Sequence, residues 1–254
     1  MTQRMPPSIP QLWDDLAAST TADTDAALAH ALGTLAALVQ AQQAYWMCTV
    51  RLGPPADPVQ GWRPAAIRYL HPDPALQKNY EAHKRLVETG QIDPSLTANL
   101  AGAGSFRVNR HAAIVPPGWF ASPFYQTYFA PFGISDVLYA ATPLGGDIEA
   151  WIALQRLNAE PFGLAEQQAL HDAARPLAWF HRRIALGHGL LLASTPLTGA
   201  ERRLLGALLG DGTEAAIAAA LQLAPSTVHT YATRIYRKFN VQGRAGLMAL
   251  WLRR

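Results

Sequence analysis

Ser226, His229, Thr230, Thr233 and Arg237 recur at helical spacing after Pro225, and Val228, Ala232, Ile235 and Phe239 fall on the other side of the same segment. One side is apolar and suits burial; the other carries short hydroxyls, an imidazole and a cation. Such groups can exchange hydrogen bonds with base edges in a major groove, with His229, Thr230 and Thr233 as the readers. Arg237, Lys238 and Arg244 carry positive charge suited to phosphates. Ser226 and Thr227, at the start of the segment, join the set. Double-stranded DNA is therefore the expected partner of this face.

A second group of residues suits a different chemistry. Trp119, Tyr125, Tyr128, Trp151 and Tyr69 supply flat apolar walls, the tyrosines and indoles with polar tips. Most of them lie in or near an aromatic-rich stretch that follows Pro116-Pro117-Gly118, which points to a pocket for a small organic molecule. Arg68 or Arg107 can pair with a carboxylate on such a ligand. No HExxH pair, Gly-x-Ser-x-Gly elbow or phosphate-cradling glycine loop occurs, so an enzyme is not expected. The single cysteine, Cys48, sits in an apolar run and allows neither an internal disulfide nor a thiolate cluster. No metal site and no cofactor are expected. Lysine occurs only at 78, 84 and 238, which leaves no strand-end lysine for a phosphate-receiving domain.

The elements that must position the first group are marked by local signals. Leu197-Thr198-x-x-Glu201 reads as a capping box, and Leu204, Leu205 and Leu208 share one side of the helix that follows. Gly210-Asp211-Gly212 ends it, and Thr213 caps a second helix with Ile217, Ala218 and Leu221 inward. Gln222-Leu223-Ala224 makes a tight turn, and Pro225 takes the first position of the third helix, where its missing N–H costs nothing. Charge agrees with this division. Residues 196–254 hold eight Lys/Arg against three Asp/Glu, whereas residues 1–195 hold thirteen against fifteen, so the net +3 is concentrated at the C-terminal end.

Residues 1–193 read as a sensor and dimerisation domain of α and β elements. Helices are expected over Ile9–Ala18, Asp25–Gln43, Asp73–Thr89 and Pro94–Ala101, and through most of Phe162–Ala193. Strands are expected over Tyr45–Leu52, Trp62–Leu70, Ser105–Asn109, Ile134–Thr142 and Ile148–Arg156, the last two joined by a Gly145-Gly146-Asp147 turn. Consecutive strands that pair as hairpins imply an α+β fold with an antiparallel sheet flanked by helices. Ser194-Thr195-Pro196 forms a short linker to a DNA-binding domain at 197–254. Leu170, Leu177, Ile184 and Leu191 recur every seven residues, with Ala173, Phe180 and Gly187 three beyond the first three; this stripe suits either a seam between two subunits or packing on the chain's own sheet. Pro176 interrupts it. The N-terminus carries no apolar signal segment, and the longest apolar stretch is too short for a membrane span, so a cytoplasmic location without membrane association is expected.

The C-terminal segment resembles the LuxR-type helix-turn-helix of bacterial transcription regulators. The residues that carry the resemblance are Leu197-Thr198-x-x-Glu201, Gly212-Thr213, Ile217-Ala218-x-x-Leu221, Thr227-Val228, Ile235-x-x-Lys238-Phe239-x-Val241 and Arg244-x-x-Leu247. Departures fall at Ala216, Ala224, His229 and Tyr231, where the family tends to carry an acid, a serine, a cation and a histidine. The resemblance implies four helices that bind DNA as a homodimer, with RNA polymerase as a further candidate partner. Ser122-Pro123-Phe124-Tyr125, Pro131-x-Gly133-Ile134-x-Asp136 and Trp151-x-x-Leu154-x-Arg156 make the first domain similar to GAF and PAS-like sensing domains. Acyl-homoserine-lactone sensors of the LuxR family share a Trp, Tyr and Asp cluster. Tyr69, Asp73 and Tyr80 offer similar residue types without the spacing, so that ligand is not assigned. The expected function is a transcription regulator controlled by a small organic ligand. The alternative is a ligand-independent regulator whose first domain only dimerises or recruits a protein.

Overall fold

A computed structural model describes residues 8–20, 23–52, 57–190 and 197–252. The Ser194-Thr195-Pro196 linker and Leu191 of the heptad stripe lie outside the described residues. The chain divides into two compact units, Met1–Leu16 with Leu28–His181, and Ala17–Ala27 with Arg182–Arg254. No helix among the described residues is long and apolar enough to cross a membrane.

The first unit is built on five antiparallel strands: β1 (Gln43–Arg51), β2 (Trp62–Tyr69), β3 (Arg107–Arg110), β4 (Ile134–Gly145) and β5 (Ile148–Leu157), in the order β2-β1-β5-β4-β3. This is the expected mixed fold with an antiparallel sheet. The central strands β1, β5 and β4 are rich in Ala, Ile, Val, Leu and aromatics, as strands buried on both faces must be. Successive side chains alternate between faces. Trp46, Cys48, Leu154 and Leu138 thus lie fully buried on one face, where Trp46 Nε1 donates to His181 Nδ1 at 3.3 Å. Tyr45, Met47, Trp151 and Tyr139 belong to the other face.

Helices α1 (Ile9–Ala18), α2 (Thr24–Leu38), α3 (Pro74–Glu88), α4 (Pro94–Leu100), α5 (His111–Ile114), α6 (Pro123–Tyr128), α7 (Leu164–Ala174) and α8 (Ala178–Gly187) complete this part of the chain. Two differ from the sequence reading. α2 stops at Leu38 because Gln40 takes a left-handed φ of 56°, which turns the chain into β1. The region after Phe162 is two helices, broken where Pro176 cannot donate and a 3-10 turn spans Arg175–Leu177. The stripe on these helices takes one of its two expected roles. Leu170, Ala173, Leu177 and Phe180 are each at most 1% exposed, so in the first unit the stripe belongs to the core and not to a subunit seam.

The second unit contains α9 (Gly199–Leu208), α10 (Glu214–Leu221), α11 (Pro225–Lys238) and α12 (Arg244–Leu252). Local chemistry starts each of the first three. Thr198 and Glu201 form the reciprocal capping box, with Thr198 N donating to Glu201 Oε2 at 2.7 Å and Glu201 N to Thr198 Oγ1 at 3.3 Å. Thr213 Oγ1 accepts from Ala216 N at 3.2 Å. Gln222 reverses the chain with φ 54°, and Pro225 opens α11. Leu204, Leu208, Val228 and Ile235 are wholly buried between the helices, with Phe239 at their edge.

Candidate nucleic-acid interface and ligand cavity

The second unit presents α11 as a two-sided helix. Val228, Ala232 and Ile235 are buried, whereas Ser226, His229, Thr230, Thr233, Arg234 and Arg237 are exposed and Thr227 is half-buried. The hydroxyls of Thr230 and Thr233 donate to the carbonyls of Ser226 and His229, one turn back, at 2.8 and 2.9 Å. His229 Nδ1 lies 3.9 Å from Glu214 Oε2 on α10. Arg234, absent from the sequence expectation, lies over the Tyr231 ring at 5.7 Å on the exposed surface. Its spacing carries the signal: it stands one turn after Thr230 and one before Arg237.

Two of the residues expected at phosphates hold partners within their own unit. Arg244 donates from Nε to Leu208 O at 2.7 Å and from its terminal nitrogens to Gly210 O and Gly212 O. Its charge therefore neutralises the exposed carbonyls at the C-terminus of α9. Lys238 Nζ lies 2.8 Å from Glu201 Oε2, whose side chain is 5% exposed. Both cations hold helices together, because each finds a strong acceptor inside its own unit.

In the first unit a cavity of about 170 Å³ opens between the sheet and α3, α4 and α6. Strand register explains its floor. Tyr69, Tyr45, Ala153 and Tyr139 form one rung across β2, β1, β5 and β4; Ile67, Met47, Trp151 and Ala141 form the next. Thr49 and Glu149 pair on the rung beyond. Ala153 is small and leaves room between the tyrosine rings. From α3, Leu76, Tyr80, His83 and Val87 face the same space at helical spacing. Asp93, which caps α4, closes the tyrosine end.

Four phenols and a carboxyl converge near that end. Burial pushes the phenols of Tyr45, Tyr69, Tyr80 and Tyr139 well above their ordinary range, so they remain protonated donors. Burial likewise raises the Asp93 carboxyl, against donors from Ser95 and Trp119 that oppose the rise. Trp119 Nε1 donates to Asp93 Oδ1 at 3.0 Å, and Ser95 N and Oγ also donate to this carboxyl. The opposite end is walled mainly by a cluster of Trp62, Leu100, Val87 and Trp151, with the Thr49 hydroxyl beside Trp151.

Tyr69, Tyr128 and Trp151 of the sequence-expected set line this cavity. Trp119, Tyr125, Arg68 and Arg107 do not. Trp119 and Tyr125 join an aromatic cluster, their ring centroids 5.3 Å apart, and Trp119 stands behind the cavity wall, against Phe129 and bonded to Asp93. Arg68 falls between Ile67 and Tyr69 on β2, so strand alternation turns it away, and its Nη1 donates to Ile67 O at 2.7 Å. Arg107 is committed to Glu149 through two bonds of 2.8 and 2.9 Å. Tyr45, Tyr80, Asp93 and Tyr139 join the site without having been expected there. Among the described residues no group of His, Cys, Asp and Glu is placed to hold a metal ion.

The family model described as "Bacterial regulatory proteins, luxR family" matches residues 195–250. That segment is therefore a LuxR-family helix-turn-helix, the DNA-binding part of a transcription regulator and not of an enzyme. Among solved structures the chain is similar to the VqsR LBD domain of Pseudomonas aeruginosa, at 17% identity over 70% of this chain and 96% of that one, with a TM-score of 0.49. It is also similar to Escherichia coli SdiA, at 14% identity over 95% of this chain and 94% of that one, TM-score 0.44. A third is CepR2 of Burkholderia cenocepacia, an N-acylhomoserine lactone dependent LuxR family factor, at 19% identity over 68% and 91% of the two chains, TM-score 0.46. No curated protein matches the chain by sequence.

Proposed function

We propose that this chain is a cytoplasmic transcription regulator in which a sensor domain (1–193), joined by a short linker (194–196), controls DNA binding by residues 197–254. The observation that carries the DNA reading is the geometry of α11: a fully buried stripe on one side, and short polar groups with two exposed arginines on the other. Ser226, Thr227, His229, Thr230 and Thr233 meet base edges, while Arg234 and Arg237 meet phosphates. The working form is a homodimer that sets two recognition helices about 34 Å apart, one turn of DNA. RNA polymerase is the further partner on the promoter.

The ligand is a small amphiphile. Its polar head sits among Tyr45, Tyr69, Tyr80 and Asp93, where donors and a carboxylate acceptor converge in low dielectric. Its apolar tail runs along Met47 and Ile67 toward Trp151. Ligand acts on DNA binding by favouring one arrangement of the dimer. The test is selection of bound sequences from a random duplex library with full-length protein, followed by titration of straight-chain 1-monoacylglycerols. Enrichment of a two-fold symmetric site whose affinity changes with amphiphile supports the reading. Enrichment with no response to any amphiphile leaves a ligand-independent regulator, and no enrichment removes α11 as a sequence reader.

A further inference from the structure

We infer that Trp151 is the end wall that limits the length of the ligand's apolar tail, and that the Arg107–Glu149 ion pair braces it. This rests on the amphiphile reading of the cavity and adds a specificity to it. The cavity floor runs from Gln155, the partner of Gln43, past the Tyr45 and Met47 rungs to Thr49, six residues along β1, which is about 20 Å. Trp151 stands one rung short of Thr49, is 3% exposed, and leans its indole over that last rung. A wall sets length only where it cannot rotate away, and this indole is held on three sides. Its Nε1 donates to Thr49 Oγ1 at 3.1 Å. The Tyr139 ring meets it edge-on, with centroids 6.5 Å apart. The Arg107 guanidinium carbon lies 4.7 Å from the ring centroid.

Arg107 is itself fixed. Its terminal nitrogens donate to both Glu149 oxygens, at 2.9 and 2.8 Å, and its Nε donates to Asn99 O at 2.8 Å. The Glu149 side chain is fully buried and accepts a further bond from Gly104 N at 2.8 Å. A planar fork on a carboxylate has one geometry, unlike a lysine point charge. The loop is shaped to let the arginine pass: a Cβ at Gly102 would lie 2.8 Å from Arg107 Cδ. None of these groups is needed to bind a polar head at the tyrosine end. Their common product is a rigid indole across the apolar end.

The experiment is affinity of the full chain for straight-chain 1-monoacylglycerols of increasing length, in wild type, Trp151→Leu, Trp151→Phe and the double variant Arg107→Met with Glu149→Gln. Wild type is expected to show a sharp optimum, with affinity falling once the tail meets the indole. Trp151→Leu moves the optimum to longer chains, each newly accommodated methylene gaining about fourfold in affinity. Trp151→Phe moves it less and guards against loss of folding in the leucine variant. Arg107→Met, made together with Glu149→Gln so that no unpaired carboxylate stays buried, blunts the fall beyond the optimum while leaving shorter chains unaffected, a change that general destabilisation does not produce. An optimum that stays in place in a folded Trp151 variant overturns the wall and leaves the ligand class standing. No length of chain binding wild type overturns the amphiphile reading, and the wall with it.

Discussion

Lys238 Nζ on α11 lies 2.8 Å from Glu201 Oε2, the residue whose carboxylate also completes the capping box of α9. One carboxylate thereby closes the first helix and anchors the end of the third. Burial works to raise the Glu201 carboxyl, but donors from Lys238 and Thr198 outweigh it and hold the group below its ordinary range. A carboxyl depressed in the folded state contributes stability above its unfolded pKa and loses it as pH falls through the folded value. Lys238→Met should therefore destabilise the second unit by on the order of 3 kcal/mol near neutrality, and flatten its loss of stability in acid. Arg237→Ala should leave the melting temperature unchanged and lower the salt slope of DNA binding by about one unit. Thermal melts and salt titrations of both variants check this; an unchanged melt with a reduced slope for Lys238→Met would return Lys238 to the phosphates.

His229 faces outward from α11 with Glu214 3.9 Å away as its nearest carboxylate. An outward side chain at this position of α11 reaches base edges, so His229→Ala should alter the sequence preference of the selected site at the bases beneath it. Glu214→Gln, tested beside it, should leave that preference unchanged. Selection from a random duplex library with each variant checks this; an unchanged selected sequence for His229→Ala removes His229 from the readers.

Burial lowers the imidazoles of His83, His111 and His181 to about 4. These histidines are neutral in the folded first unit and protonate more readily when it unfolds, at about 6.5. The unfolded state then binds more protons between those values, so stability is complete above about 6.5 and falls as pH drops toward 4. His181, 1% exposed and accepting from Trp46, should contribute on the order of 3 kcal/mol to that fall. Urea melts from neutral to acid pH check the trend. In His181→Gln the slope should lessen by about one proton; an unaltered slope would show that this imidazole is charged in the fold.

Ile184 is fully buried inside its own chain. Ile184→Glu should accordingly cost about 3–5 kcal/mol through burial of an unpaired charge, and the loss should appear as unfolding. Light scattering alongside circular dichroism separates the outcomes. A well-folded monomer in place of a dimer would restore this position to a subunit seam.

Features encoded within one or two turns of chain are legible in the amino-acid sequence alone. Thr198 with Glu201, Thr213, Pro225 and the Val228–Ala232–Ile235 stripe all act on neighbours three or four residues away, so cap chemistry and helical period define the second unit almost completely. The five strands and the antiparallel sheet are likewise readable from alternation and the Gly145-Gly146-Asp147 turn. What tertiary structure decides are the partners. Lys238 and Glu201 stand 37 residues apart, Trp119 and Asp93 26, and Arg107 and Glu149 42. Nothing local distinguishes a lysine bound for phosphate from one bound for a buried carboxylate. The cavity shows the same limit: Tyr69, Tyr45 and Tyr139 share one rung only because β2, β1, β5 and β4 pair in one register, and a slip of one residue would turn each of them to the other face. Composition supplies the aromatic rings; strand register alone determines which of them face a ligand.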